Sequence, residues 1–154
     1  MSLLAPGTSR NLVAAAPALG LYVAACVVPA LFFWNTQTQQ LQTVLGAQAL
    51  LMGPLAVLAG QFGWLANPLW ALALATFLTG RPRSAAVLAV LSAGVAAHTF
   101  RLYGHPLPAN EGGEGELQLR ALGPGFYLWG ISALALTFGA LIRALGKRPP
   151  SSGA

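Results

Sequence analysis

Long runs of uncharged, apolar residues limit most strongly what this chain can fold into. A helix that crosses the ~30 Å hydrocarbon layer of a membrane needs about 20 consecutive apolar residues. Asn11–Trp34 is a run of 24 residues without a charge, and Thr43–Gly80 is a run of 38 residues without one. These runs predict an integral membrane protein with several helices.

The composition supports this class and excludes others. Charged residues make up 7% of the 154 residues, whereas an average soluble domain has about 25%. The 8 Lys and Arg and 3 Asp and Glu are too few to solvate a globular surface, which excludes a soluble enzyme, and they form no dense basic patch for nucleic acid. Cys26 is the single cysteine, and no Cys and His residues have metal-ligand spacing. We therefore expect no cofactor, no metal site and no nucleic-acid partner.

The apolar runs predict an all-α integral membrane protein, a bundle of five apolar helices that forms one membrane domain over residues 1–154. Gly60 and Asn67-Pro68 disfavour a continuous helix, so the 38-residue run is divided in two. Four helices are expected to span the membrane, and residues 43–59 to form a re-entrant or shallow helix, with a fifth full span as the alternative. The predicted helices cover about 11–34, 43–59, 64–79, 84–101 and 125–145, with an outer loop at 103–124 and a disordered tail at 149–154.

The basic residues predict the orientation, because Lys and Arg near span ends accumulate on the cytoplasmic side. With four spans, only Arg101 and Arg120 lie on the outer side, together with all three glutamates. With five spans, five basic residues lie inside and three outside, and the N-terminus is outside. Both models place the C-terminus in the cytoplasm. The basic residues that share the inner side in the four-span model are Arg10, Arg81, Arg83, Arg143, Lys147 and Arg148.

Small residues recur at spacings of three and four in two of the predicted helices. This pattern lets helices approach closely in lipid, where association depends on packing rather than on the hydrophobic effect. We expect the seams to pack within the bundle, with an interface to a second copy or another subunit as the alternative. The residues are Gly46, Ala49, Gly53, Ala56 and Gly60, and then Ala86, Ala89, Ala93 and Ala96.

Three polar residues are candidate structural or functional sites, and no catalytic residue is predicted. His98 and Arg101 stand three residues apart, so they share a helix face. They could bind an anionic headgroup or transfer a proton, although a position at the membrane interface is the favoured interpretation. Asn67 is expected to donate to backbone carbonyls freed at the Pro68 break. Lining a small cavity is the alternative for Asn67 and also for Gln48 and Gln61.

Two short motifs, with a basic hairpin between them, make residues 43–145 similar to a group of known sequences. The chain resembles a group of small, uncharacterised bacterial inner-membrane proteins that share a Trp-Leu-Ala-Asn-Pro-Leu run and a Gly-x-Gly-aromatic-Leu-Trp start to the last helix. The resemblance implies a bacterial cytoplasmic (inner) membrane, and it implies no activity and no functional residues. The matching segments here are Trp64-Leu65-Ala66-Asn67-Pro68-Leu69, Arg81-Pro82-Arg83 and Gly123-Pro124-Gly125-Phe126-Tyr127-Leu128-Trp129.

These features favour a non-catalytic membrane protein that acts by contact, as an accessory subunit or a protective partner of a membrane complex. Its expected partners are the lipid bilayer and other membrane subunits or a second copy of itself. The alternative is a transporter or channel for a small solute or ion, built as a homo-oligomer around the break at Gly60–Pro68. A third hypothesis is an enzyme on lipid headgroups that uses His98, His105 and the outer glutamates.

Overall fold

The computed structural model describes residues 6–110, 112 and 114–146. The predicted disordered tail at 149–154 lies outside these residues, as do Lys147 and Arg148. The described elements in chain order are α1 (Pro6–Val27), β1 (Pro29–Asn35), β2 (Gln40–Leu45), α2 (Gly46–Leu58), the 3-10 helix η1 (Phe62–Leu65), α3 (Ala66–Leu78), α4 (Pro82–Ala96), the 3-10 helix η2 (Ala97–Tyr103), β3 (Leu107–Pro108), β4 (Glu116–Leu122) and α5 (Pro124–Gly146).

The prediction of an all-α bundle is wrong, because the chain also forms a four-stranded antiparallel sheet in the order β2-β1-β4-β3. The helix predicted over 11–34 ends at Val27, and its last third is β1. Pro29 disfavours helical backbone at Val28, and the aromatic residues that follow favour strand. The segment predicted as an outer loop, 103–124, contains β3 and β4.

The prediction of four spanning helices is also wrong. Within the described part of the chain, three helices are long and apolar enough to cross a membrane. They are Arg10–Val27 in α1, Pro82–Tyr103 in α4 and η2, and Pro124–Gly146 in α5. The helix α2 and the segment Phe62–Leu78, which joins η1 to α3, are apolar but shorter.

The helices α1, α3, α4 and α5 pack around a core that consists largely of alanine. Buried hydroxyl groups join neighbouring helices: Ser132 Oγ donates to Ala18 O at 2.8 Å, and Ser92 Oγ donates to Ala66 O at 2.7 Å. Small side chains let the backbones approach closely enough for these bonds. The fully buried alanines are Ala73, Ala85, Ala89, Ala133 and Ala140.

The bundle has two chemically different ends. Arg143 donates to Arg10 O at 2.9 Å, and Arg81 and Arg83 lie in a pocket of about 320 Å³ that Ala144 also lines. We call this the basic end. The sheet, η1 and η2 lie at the opposite end, which we call the sheet end; its small core consists of Phe33, Leu102 and Leu119.

Candidate ligand cavity

Helix α2 begins and ends at the sheet end of the bundle. At its start, Gly46 N donates to Val28 O at 3.1 Å, and a Cβ at Gly46 would overlap Ala25 O of α1. At its finish, the chain turns through Gly60, whose φ is +79°, and enters η1. A Cβ at Gly63 of η1 would in turn overlap the Thr99 side chain of η2. Helix α2 therefore extends from α1 to the η1–η2 contact.

One contact holds the middle of α2 against η1. The indole of Trp64 lies against Gly53, where a Cβ would overlap the ring, and Trp64 Nε1 donates to Leu50 O at 2.7 Å. Gly53 is the one buried residue among the 13 of α2. In the predicted small-residue seam of α2, Gly46 thus contacts the end of α1 and Gly53 contacts the Trp64 indole. Gly60 instead allows the turn after α2.

A cavity of about 980 Å³ separates the rest of α2 from the bundle and the sheet. This volume is at the upper end of the range for small-molecule sites. The cavity is partly open to the surroundings. Its lining includes Tyr22 and Cys26 of α1, Ala49, Met52 and Ala56 of α2, Gln61, Asn67, Trp129 of α5, and Phe33 and Leu117 of the sheet.

The lining is predominantly apolar and carries no formal charge in the part of the chain that the structure describes: no Asp, Glu, Lys, Arg or His lines it. Two of its polar atoms are buried without a hydrogen-bond partner, the acceptor Gln61 Oε1 and the donor Trp129 Nε1. The Gln61 residue is only 8% exposed. Buried polar groups in proteins are almost always paired. Both atoms are enclosed by the protein, so a ligand in the cavity would reach them only if the surrounding side chains moved.

Asn67 connects the cavity wall to the helix break. Its Nδ2 donates to Trp64 O at 3.2 Å, and its Oδ1 accepts from Tyr22 Oη at 2.9 Å. Trp64 O also accepts a backbone N–H at the end of the 3-10 helix η1, so the Asn67 amide adds a second donor to that carbonyl. The residue also lines the cavity.

His98 and Arg101 lie in η2 and do not line the cavity, although Thr99 and Leu102 of the same helix do. Phe62 N lies 3.2 Å from His98 Nδ1, and Arg101 Nη1 lies 3.2 Å from His98 Nε2. A neutral imidazole has one acceptor nitrogen, so only one of these two approaches is a hydrogen bond. Both residues are at the sheet end, where His98 lies against Phe62 of η1 and Arg101 lies against His98.

The sequence pointed to some of the cavity residues and missed others. Amide side chains within apolar runs had indicated Gln48, Gln61 and Asn67 as possible lining residues, and all three line the cavity. Trp129 and Tyr22 were missed, because single aromatic residues near helix ends are also typical of membrane-interface positions. The sheet residues could not be assigned to the lining without the pairing of distant strands.

Comparison with known proteins gives no relative: no protein-family profile, no curated protein and no solved structure matches the chain. Among the described residues, no group of three or more His, Cys, Asp or Glu is arranged to hold a metal ion.

Proposed function

We propose that this chain is a non-catalytic, multi-pass protein of the bacterial cytoplasmic membrane that works by binding a lipid-soluble ligand. The observation that carries the proposal is the cavity of about 980 Å³ between α2, the bundle and the sheet. A large, mostly apolar cavity with a few polar groups is the usual form of a small-molecule site. The absence of formal charge in its described lining suits an apolar ligand.

The protein stands with its basic end and its C-terminus in the cytoplasm and its sheet end outside. Four arginines at the basic end support this orientation, since basic residues accumulate on the cytoplasmic side. The sheet supports a position outside the hydrocarbon layer rather than a particular side of the membrane. Among the described residues β2 and β3 are its edge strands, and edge backbone groups need water or protein partners rather than hydrocarbon.

In this orientation, α2 lies at the level of the outer leaflet, beside the last turn of α1. Its outward side chains are large, apolar and exposed, among them Leu51 at 76% and Leu58 at 85%. Such a surface is compatible with contact to lipid. We propose that a ligand dissolved in the outer leaflet enters the cavity beside α2 without passing through water.

The test is to identify what the protein retains on purification. The full chain is extracted in a mild non-ionic detergent, and bound lipids are recovered with organic solvent and measured by mass spectrometry. We expect wild type to carry close to one lipid-soluble molecule per chain. Ala49→Phe and Ala56→Phe, which place rings in the cavity, should each lose it. Leu51→Phe is the matched control, because Leu51 is on α2 outside the lining.

Equal lipid content in wild type and both cavity-filling variants would contradict the proposal, provided that the variants keep the wild-type melting temperature. If a variant melts at a lower temperature than wild type, both proteins are reconstituted in vesicles and their retained ligand is compared there. The proposal requires the same difference in retained ligand under these conditions.

A second candidate is an accessory subunit that contacts another membrane protein through α2. The exposed apolar side chains on the outer face of α2 favour it, because such patches mark interaction sites as well as lipid contacts. The same purification in mild detergent distinguishes the two candidate functions, because it recovers bound protein as well as bound lipid. A stoichiometric membrane protein that is lost on Leu51→Ser, with the cavity variants unaffected, would favour the accessory subunit.

A further inference from the structure

We infer that the pocket at the basic end binds the phosphate of an anionic phospholipid from the cytoplasmic leaflet. The pocket has a volume of about 320 Å³ and lies where the start of α4 meets the end of α5. The inference uses the proposed orientation in the membrane, but it is independent of the cavity beside α2, with which this pocket shares no lining residue. The lining consists of Arg81, Pro82, Arg83, Ser84 and Ala144.

Two arginines give the pocket a positive charge that no described carboxylate neutralises. Arg81 and Arg83 both line it, and both are exposed. The two described glutamates, Glu114 and Glu116, lie before and at the start of β4, at the sheet end. Each guanidinium group presents a planar fork of N–H donors that fits the oxygens of a phosphate. Two such groups on one pocket are therefore typical of a phosphate site.

These arginines stand at the end of a helix where positive charge is unfavourable. Arg81 is the N-cap residue of α4 and Arg83 lies in its first turn, beside the positive end of the helix dipole. The first turn contains no acidic residue, and no side chain caps it with a hydrogen bond. Ser84 adds a hydroxyl donor to the same turn. An anion in the pocket offsets the charge of the arginines and the helix dipole together.

The backbone beside the pocket is fixed before any ligand binds. The chain leaves α3 and reverses through Gly80, whose φ is +79°. Arg81 N then donates to Thr76 O at 2.9 Å, and Arg81 O accepts from Ala85 N at 3.1 Å. This turn sets the positions from which both arginine side chains extend. A phosphate therefore binds without a rearrangement of the main chain, which favours affinity.

The surroundings of the pocket favour a lipid phosphate over a soluble one. Basic pockets between membrane helices on the cytoplasmic side are typical sites for anionic headgroups. Val87 lies one turn from Arg83 in α4, and Leu141 lies one turn before Ala144 in α5. Both are exposed apolar residues on the membrane side of the pocket in the proposed orientation. The acyl chains of a lipid whose phosphate occupies the pocket can therefore contact them.

The test compares lipids that differ in the charge of the headgroup. The full-length protein is immobilised in a mild non-ionic detergent and equilibrated with increasing amounts of dioleoyl phosphatidylglycerol, dioleoyl phosphatidylcholine or dioleoylglycerol. Mass spectrometry measures the lipid that it retains. Phosphatidylglycerol should bind in a saturable way, with an apparent Kd at least about tenfold below those of the other two. Ala49→Phe, which fills the separate cavity, should bind phosphatidylglycerol as wild type does.

Arginine variants test the site itself. Arg81→Gln and Arg83→Gln should each weaken phosphatidylglycerol binding by about tenfold, the effect of one hydrogen bond to a charged group. Arg10→Gln is the matched control, because it removes the same charge from the same end of the bundle. Arg10 does not line the pocket, and its contact with Arg143 uses its backbone oxygen. This control should bind as wild type does.

A double variant with Arg81→Lys and Arg83→Lys keeps the charge that sets the orientation and loses the planar forks. It should weaken binding by at least about threefold. It decides the matter where the glutamine variants fail to insert or fold, and wild-type affinity in it would then overturn the inference.

Equal affinity for phosphatidylglycerol and phosphatidylcholine would overturn the inference, as would an equal loss in Arg10→Gln and Arg81→Gln. The arginines would then serve orientation alone. Inorganic phosphate, added as a competitor, should not displace the lipid, because it has no acyl chains to contact Val87 and Leu141. Displacement would overturn the lipid and identify a soluble phosphate as the ligand. These outcomes leave the cavity ligand untouched, so this inference and the proposed function fail separately.

Discussion

The side chain of Asn67 joins two elements at the start of α3. Its Nδ2 donates to Trp64 O at 3.2 Å, alongside the backbone N–H that the same carbonyl accepts at the end of η1. Tyr22 Oη holds the same amide from α1 at 2.9 Å. A pre-proline asparagine in an apolar run was enough to predict the first contact. Nothing in the local sequence indicated the second, because Tyr22 is 45 residues away.

Replacement of Asn67 should lower stability rather than remove a site of chemistry. Asn67→Leu removes one of the donors to Trp64 O and leaves the Tyr22 hydroxyl without its partner, and we expect it to lower the free energy of unfolding by about 1–2 kcal/mol. Tyr22→Phe removes one bond of the pair and should lower it by about 0.6 kcal/mol. Denaturant unfolding in detergent measures both. Wild-type stability of Asn67→Leu would contradict the structural role.

At the scale of elements, the helices were partly predictable from the sequence and the strands were not. An apolar run of seven residues such as β1 fits a buried strand as well as a helix, and its position directly after a longer apolar run favoured the helix. The strand β4, Glu116–Leu122, alternates polar and apolar residues at its start, which was the overlooked signal. Its partner β1 is more than 80 residues away, so the pairing is a long-range property. The cavity depends on that sheet and could not be foreseen either.

Helix α2 depends on the absence of a side chain at Gly53. Gly53→Leu drives a side chain into the Trp64 indole and displaces its bond to Leu50 O, so we expect a loss of about 1–3 kcal/mol in stability. The matched control is Gly20→Leu in α1, where a Cβ meets open space; it should be neutral or stabilising. Thermal unfolding of both variants in the same detergent provides the comparison. Similar melting temperatures would show that the Gly53 contact contributes nothing specific.

At the scale of the whole molecule, the proposed function depends on the difference between the two ends. The basic end gathers Arg10, Arg81, Arg83 and Arg143, and the sheet end carries the open strand edges and the cavity. The uneven distribution of charge was visible in the sequence, because it depends only on which residues flank the apolar runs. The number of helices long enough to span a membrane was not, because it depends on where each helix begins and ends, and the apolar runs alone do not show those boundaries.

The central claim, a molecule that stands across the membrane with its sheet end outside, is tested most directly by cysteine labelling. In a Cys26→Ala background, single cysteines replace Thr38 in the β1–β2 turn, Glu114 before β4, or Ser84 in the first turn of α4. In intact spheroplasts, an impermeant maleimide should label the first two and should label the third only after permeabilisation. Labelling of the cysteine at 84 alone would reverse the orientation, and labelling of all three from outside would contradict a protein that spans the membrane.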